Sequence, residues 1–288
     1  MDQYRIEARA KINLGLDVLQ RLPNGYHQVK MIMQTIDLRD ELTLEIIEGP
    51  NVLTTDSEEL PTTGDNLILK AARLMEETYS LNKWGVRIHL QKNIPIAAGM
   101  AGGSADAAAT MKGMNVLFSL NVPDEELMKL AVSIGADVPY CILGGTALAE
   151  GIGEELTPLP PVPPCRILVA KPNVSVSTKY VYEQLDSTVV TSHPDIDGMV
   201  GAIESGDLQG IVNRMGNVLE AVTIPAYPAV EAIKRRMIDL GAAGSLMSGS
   251  GPTVFGIFPE AGTAEQAYAL LKKERPAEQI FLTEPICS

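Results

Sequence analysis

The stretch Pro95-Ile-Ala-Ala-Gly-Met-Ala-Gly-Gly-Ser-Ala-Asp-Ala-Ala-Ala109 constrains this chain more than any other. Before it, Val86, Ile88 and Leu90 alternate with Arg87, His89 and Gln91, which predicts a half-buried strand. After it, Ala107, Ala108, Met111, Met114, Leu117 and Phe118 recur at three- and four-residue steps, which predicts a helix. Between the two lies a loop with Gly99, Gly102 and Gly103 and no large polar side chain. Small residues let the backbone approach another group closely, and Ser104 is the expected N-cap of the helix. Free amide N–H groups and the helix dipole make such a helix start an anion site. On pattern alone, a plain turn and a phosphate cradle both fit. Two familiar phosphate fingerprints do not: Gly-x-x-x-x-Gly-Lys-Ser/Thr is absent, and Gly99-Met-Ala-Gly102 breaks the Gly-x-Gly-x-x-Gly spacing.

Composition narrows the class of partner. A hydrophobic content of 45% with 20% charged residues is that of a globular chain, and 288 residues suffice for one large domain or two modest ones. The net charge of −13 argues against a general nucleic-acid or anionic-membrane binder, because those need basic surface. An anionic small molecule stays compatible if positive groups gather locally. Cys141, Cys165 and Cys287 are scattered and lack metal-ligand spacing, so reduced thiols in a cytoplasmic protein are expected. Asp2 and Arg5 charge the start of the chain where a secretory leader would be apolar. No apolar run approaches the ~18–20 residues that span a membrane.

Taken in order, Tyr4 to Val18 carries apolar residues at the even positions and Arg5, Glu7, Arg9, Lys11, Asn13, Gly15 and Asp17 at the odd ones. This predicts a long strand, or two around a bend, with one face buried and with Lys11 and Asn13 on the polar face. Pro23-Asn-Gly25 is a turn signal, beyond which Tyr26 and His27 are presented outward. Leu42 to Ile47 reads as a strand. Helices are expected after Asp65-Asn66 to about Tyr79, and from Pro123-Asp124 to near Gly135. Asp137 follows in a turn before Pro139, and Thr146 to Glu150 is a strand. Thr157 to Pro164 holds five prolines in eight residues, a polyproline-type crossover dividing the chain into domains 1–158 and 165–288. Beyond it the pattern gives a strand at Arg166–Lys171 and two short helices broken by Gly206. An amphipathic helix from Tyr227 to Leu240 precedes a second Gly-rich loop, Ser245 to Phe255, which runs into a strand ending near Phe258. A helix (Ala264 to Lys273) and a strand (Gln279 to Thr283) close the chain. That alternation is the habit of α+β and ferredoxin-like folds.

Four separated signals stand in one order: Ala10-Lys-Ile-Asn13, Pro95 to Ser104, Gly135-Ala-Asp-Val-Pro139 and Ser248-Gly-Ser-Gly-Pro-Thr253. Together they resemble the GHMP kinases, small-molecule kinases named for galactokinase, homoserine kinase, mevalonate kinase and phosphomevalonate kinase. The loop matches their ATP loop, Pro-x-x-x-Gly-x-x-Gly-Gly-Ser. One departure is Ala105, where many members have a second serine, so Ser104 is the loop's only hydroxyl. Asp106 is a second oddity, an acid close to where phosphates would bind.

The resemblance implies an α/β (α+β) fold of two lobes, the first like domain 2 of ribosomal protein S5 and the second ferredoxin-like. It implies ATP as co-substrate along Pro95, Ile96, Ala97, Ala98, Gly99, Met100, Ala101, Gly102, Gly103, Ser104 and Ala105. Magnesium would arrive with the nucleotide, and no residue cluster looks like a dedicated metal site. It places Asp137 at the acceptor hydroxyl with Lys11 as its partner, which suits phosphoryl transfer, and leaves open whether Asp137 is a base or an electrostatic anchor. Lys-Ile-Asn followed by Pro-Asn-Gly-Tyr-His is similar to the members whose acceptor carries a cytosine and a diphosphate. Asn13 would then orient that acceptor, Tyr26 and Tyr182 sandwich the ring, and His27 bond the base edge. Thr178 and Lys179 would meet the diphosphate, and Gly249 and Gly251 close the site. The partner expected is a small molecule, with no nucleic acid and no membrane, for a monomer or weak homodimer.

Overall fold

A computed structural model describes residues 3–287, so the charged Asp2 lies outside the described residues. The elements run β1 (Gln3–Arg21), β2 (His27–Glu48), β3 (Val52–Thr55), α1 (Leu67–Thr78), β4 (Trp84–Gln91) and α2 (Gly102–Leu117). Next come α3 (Asp124–Ala131), α4 (Val138–Leu143), β5 (Thr146–Glu150), β6 (Glu155–Leu159), β7 (Arg166–Lys171) and α5 (Thr178–Leu185). The chain continues through α6 (Ile196–Glu204), α7 (Leu208–Val212), β8 (Gly216–Asn217), α8 (Glu220–Ala226) and α9 (Pro228–Asp239). It ends with β9 (Gly244–Met247), β10 (Val254–Phe258), α10 (Ala261–Glu274) and β11 (Gln279–Thr283). These elements form two compact units. One takes the residues up to Ala10, Leu38–Ile96 and Ala101–Leu143; the other takes Lys11–Asp37, Ala97–Met100 and the chain from Gly144 on.

In the first unit the later half of β2 pairs antiparallel with β4, Leu42 opposite Leu90 and Leu44 opposite Ile88, and β3 joins β4 in parallel. The alternation in β4 is real: Val86, Ile88 and Leu90 are buried while Arg87, His89 and Gln91 are exposed. Helix α1 follows its N-cap Asn66, whose Oδ1 accepts the Ile68 amide at 2.9 Å. Its buried face meets that of α2 and the sheet in one core with Leu42, Leu44, Ala71, Met75, Ala108, Met111, Met114, Leu127 and Ile142. The alanines of α2 present little side-chain bulk, which lets this helix lie close on its neighbours.

In the second unit, Met31–Gln34 of β2 pairs antiparallel with β5, β5 pairs with β6, and Gly15–Leu16 of β1 runs parallel to β8. A separate antiparallel sheet has the order β11-β7-β10-β9. Strand, helices, two strands, helix, strand in that spatial order is the ferredoxin-like arrangement. Helices α9 and α10 cover it, burying Val230, Ile233 and Met237 from one and Ala264, Ala267 and Leu271 from the other.

Several expectations are corrected. Strand β1 is single and unbroken, and from Ala10 to Asp17 both its faces are buried. Lys11 and Asn13 are therefore interior residues, 4% and 0% exposed, rather than members of a wet face. Alternation reports one buried face only; a second layer that buries polar residues with partners leaves no trace in it. Strand β2 begins at His27, well before Leu42, because Met31, Ile32 and Met33 are buried in succession and hide the period of two. The proline-rich stretch is not a crossover from its first residue. Strand β6 carries Pro158 opposite Ala147 of β5, tolerated because β6 pairs with β5 alone and its other edge needs no donor. Among the described residues no helix is long and apolar enough to cross a membrane. None of the three cysteines is in a disulfide, and burial, with Glu284 adding to it, pushes the Cys165 thiol up to about 11.

The core behind α2 is what holds the loop-bearing helix in place. Leu44, fully buried, is the side chain that tests this. Leu44→Ala is expected to destabilise the protein by about 2–5 kcal/mol through lost transfer energy and a residual cavity. Urea unfolding followed by circular dichroism measures it.

Candidate active site

The loop ahead of α2 is shaped by backbone rather than side chains. Ala97, Gly99 and Ala101 all take left-handed conformations, with φ of 50°, 71° and 56°. Ala101, not Ser104, is the N-cap of α2, and no side chain accepts a hydrogen bond at this helix start. Ser104 instead sits inside the first turn. A left-handed alanine is invisible to capping rules built on side-chain acceptors. The first turn of α2 therefore carries amides that its cap residue has not taken.

Two contacts fix the loop from the other side. The Lys11 amide donates to the Met100 carbonyl at 3.1 Å, tying the loop to β1. The Ser248 hydroxyl donates to the Gly99 carbonyl at 2.9 Å. A Cβ at Gly99 would collide with the Ser248 carbonyl oxygen and stand 3.2 Å from the Gly251 amide nitrogen. The two Gly-rich loops thus meet main chain to main chain, and Gly99 must be glycine on both steric and conformational grounds. Sequence reading named Gly249 and Gly251 but passed over Ser248, which stood in the same motif.

The second loop is itself firmly held. Asn217 Nδ2 donates to the carbonyls of Met247 and Gly249, both at 2.8 Å. The Thr223 hydroxyl donates to the Ser250 carbonyl at 3.1 Å. Thr178 and Ser250 share a hydroxyl–hydroxyl bond of 2.9 Å, which joins the start of α5 to this loop. Lys179 follows on α5, 84% exposed at its side chain and 3.9 Å from Glu183.

Of the residues named for catalysis, Lys11 is buried in β1 and its Nζ donates to Asn13 Oδ1 at 2.7 Å. Asn13 in turn places Nδ2 3.3 Å from Met31 Sδ. Charges act on one another strongly in such a buried, low-dielectric setting. Asp137 belongs to the first unit, at the residue before α4, and its carbonyl accepts the Cys141 amide at 3.1 Å.

Of the residues expected around a base, the structure brings His27 and Tyr182 together with ring centroids 5.1 Å apart and a tilt of 41°. Tyr26, next to His27 in sequence, is 58% exposed, its amide donating to Asn24 Oδ1 at 3.1 Å. His27 Nε2 lies 2.8 Å from Asp186 Oδ1, and Arg21 Nη1 lies 3.1 Å from Asp186 Oδ2. The His27 hydrogen bond, reinforced by the charges of His27 and Arg21, holds the Asp186 carboxyl below the usual carboxylate range. Asp186 orients the imidazole and leaves Nδ1 for another partner, yet no motif in the sequence marks it. Among the described residues no three His, Cys, Asp or Glu side chains are grouped to hold a metal ion.

Comparison with known proteins extends this geometry. Models of the GHMP kinases N-terminal and C-terminal domains match residues 66–145 and 199–277. The 4-diphosphocytidyl-2-C-methyl-D-erythritol kinase of Lachnospira eligens is 54% identical over 285 residues, covering 99% of both chains. That of Clostridium acetobutylicum is 44% identical over 98% of this chain and 99% of its own. A crystal structure of 4-(cytidine 5'-diphospho)-2C-methyl-D-erythritol kinase superposes with a TM-score of 0.83 at 31% identity, covering 99% of this chain and all of that one. Homoserine kinase from Cytophaga hutchinsonii, at 20% identity and a TM-score of 0.78 over 100% of this chain and 95% of its own, shares the fold. By these matches the chain belongs to the GHMP kinase family, in the branch formed by the 4-diphosphocytidyl-2-C-methyl-D-erythritol kinases.

Proposed function

We propose that this protein transfers the γ-phosphoryl group of ATP to the 2-hydroxyl of 4-diphosphocytidyl-2-C-methyl-D-erythritol, giving the 2-phosphate and ADP. This is a step of non-mevalonate isoprenoid biosynthesis. The observation that carries the reading is the 54% identity over nearly the full chain with a kinase of that name. The uncapped start of α2 behind a Gly-rich loop supports it chemically.

In the mechanism we propose, the triphosphate lies on the main chain of Pro95 to Ala105, with the amides of Gly102 to Ser104 meeting its oxygens. Lys11 neutralises charge on the phosphoryl group as it transfers, and its bond to Asn13 fixes the position of the ammonium. Asn13 orients the acceptor. Asp137 accepts the proton of the attacking hydroxyl, and the new P–O bond forms as the bond to the leaving ADP oxygen breaks. Magnesium would be carried by the nucleotide and would supply further charge neutralisation. The chain offers no grouped acids or imidazoles for it among the described residues, so the phosphate oxygens would be its main ligands. His27, oriented by Asp186, reads the cytosine edge. Tyr26 and Tyr182 supply the stacking faces, and Thr178 and Lys179 meet the diphosphate. We place the two lobes at 1–158 and 165–288, each containing one of the matched family regions. A cytoplasmic monomer or weak homodimer acting on a small molecule is the corresponding biological form.

Phosphorus NMR of the reaction with ATP and the cytidylyl acceptor tests the assignment directly. A new phosphomonoester signal with stoichiometric ADP is expected, whereas phosphorylation of homoserine or mevalonate in its place would move the protein to another branch of the family. Asp137→Asn is expected to lower kcat by ~10²–10⁴ while nucleotide binding survives, as removal of a general base does. Near-normal turnover would assign proton acceptance elsewhere. For base choice, the uridine analogue should have a much lower kcat/KM than the cytidine acceptor, because a mismatched edge leaves buried polar groups unpaired. His27→Ala should narrow that gap. Tyr26→Ala should weaken both acceptors by ~1–3 kcal/mol, since stacking is indifferent to the base. Equal use of the two acceptors by the wild type would remove His27 as the reader.

A further inference from the structure

Asp106 has no role in the chemistry above, yet it lies four residues into α2, close behind the nucleotide loop. Its side chain turns inward. Lys92 Nζ donates to Asp106 Oδ2 at 3.0 Å and also bonds Asp40 Oδ2. Asp40 comes from β2 and is fully buried; its Oδ1 accepts the amides of Asn93 at 2.5 Å and Ile94 at 2.7 Å. Those two residues are the last before Pro95. A Cβ at Gly102 would lie 3.0 Å from Lys92 Nζ and 3.0 Å from Ile94 Cγ2, so the first turn of α2 rests on the same lysine. One cluster therefore grips the chain where it enters the loop, at 92–94, and where it leaves, at 102–106.

The charges do not balance if both acids are ionised. Asp40 receives an ammonium and two amides, which is a full set of donors for a carboxylate. Asp106 is 2% exposed, and its Oδ1 has no hydrogen-bond partner. A second buried anion with a bare oxygen would be costly, and it would also repel a triphosphate bound nearby.

We propose that Asp40, Lys92 and Asp106 form a loop-positioning cluster in which Asp40 and Lys92 are the ion pair and Asp106 holds a proton. This inference rests on the nucleotide assignment for its purpose, but not for its protonation state. Burial pushes the Asp106 carboxyl well above the usual range; Lys92 opposes this, and the neighbouring Asp40 adds to it. Asp40 from β2 and Lys92 from the end of β4 are the charged groups facing it. A neutral Asp106 resolves the oddity in the sequence: the acid beside the phosphate loop contributes no negative charge.

Carbon-13 NMR of the full-length protein labelled at the aspartate carboxyls, compared with Asp106→Asn, tests the proton. One carboxyl resonance should stay at the protonated position at pH 7 and vanish in the variant. If every aspartate carboxyl is ionised at pH 7, the proposal falls, whatever the enzyme phosphorylates. Kinetics test the positioning. Lys92→Met leaves Asp40 a buried, unmatched anion and should raise the KM for ATP about tenfold or more with a smaller change in kcat, a loss of ~1.4 kcal/mol per decade. The double variant Lys92→Met/Asp40→Asn removes both charges and should recover part of that loss, as coupled neighbours do. An unchanged KM for ATP in Lys92→Met, or no recovery in the double variant, overturns the positioning role.

Discussion

The loop ahead of α2 depends on two stretches of main chain that meet at a glycine. At Gly99 the carbonyl receives the Ser248 hydroxyl, and the space a β-carbon would fill belongs to the Ser248 carbonyl oxygen. Next to it, Met100 accepts the Lys11 amide. A surface made this way is composed of peptide groups in fixed positions, which is what recognition of phosphate oxygens by amides requires. It is also indifferent to composition elsewhere. The chain can be strongly acidic overall and still present a local site for an anion.

The treatment of charge follows the same economy. Lys11 is buried, and its Nζ donates to the Asn13 side chain. Lys92, also buried, is matched within hydrogen-bonding distance by a carboxylate and spends its charge on architecture.

Much of this was legible in the sequence, for reasons that can be stated residue by residue. Strands β5, β7 and β11 and the start of α1 after Asn66 follow from local pattern, and the structure reproduces them. The ferredoxin-like order could be anticipated from the succession of elements, because few arrangements accommodate it. Other features leave no local trace. That Lys11 and Asn13 are interior depends on a second layer that pattern within β1 cannot report. The left-handed Ala101 cap looks like any alanine, and Asp186 is found only through its imidazole, 159 residues away in sequence. Asp106 could be recognised as odd from its neighbours, but the direction of its side chain belongs to tertiary structure. The roles of Lys11 and Asp137 were read from motif resemblance, since neither residue type alone implies chemistry.

Strand β6 has a consequence for the protein in a crowded solution. It pairs with β5 alone, so its outer side would ordinarily display a row of amides and carbonyls ready to template a foreign strand. Pro158 lies within β6, and Pro160, Pro161, Pro163 and Pro164 follow it directly. Proline carries no amide hydrogen, so the ladder that an incoming strand would need is interrupted in the strand and cannot be continued beyond it. The stretch that reads as a crossover in the sequence thereby also discourages strand addition at the sheet margin where it stands.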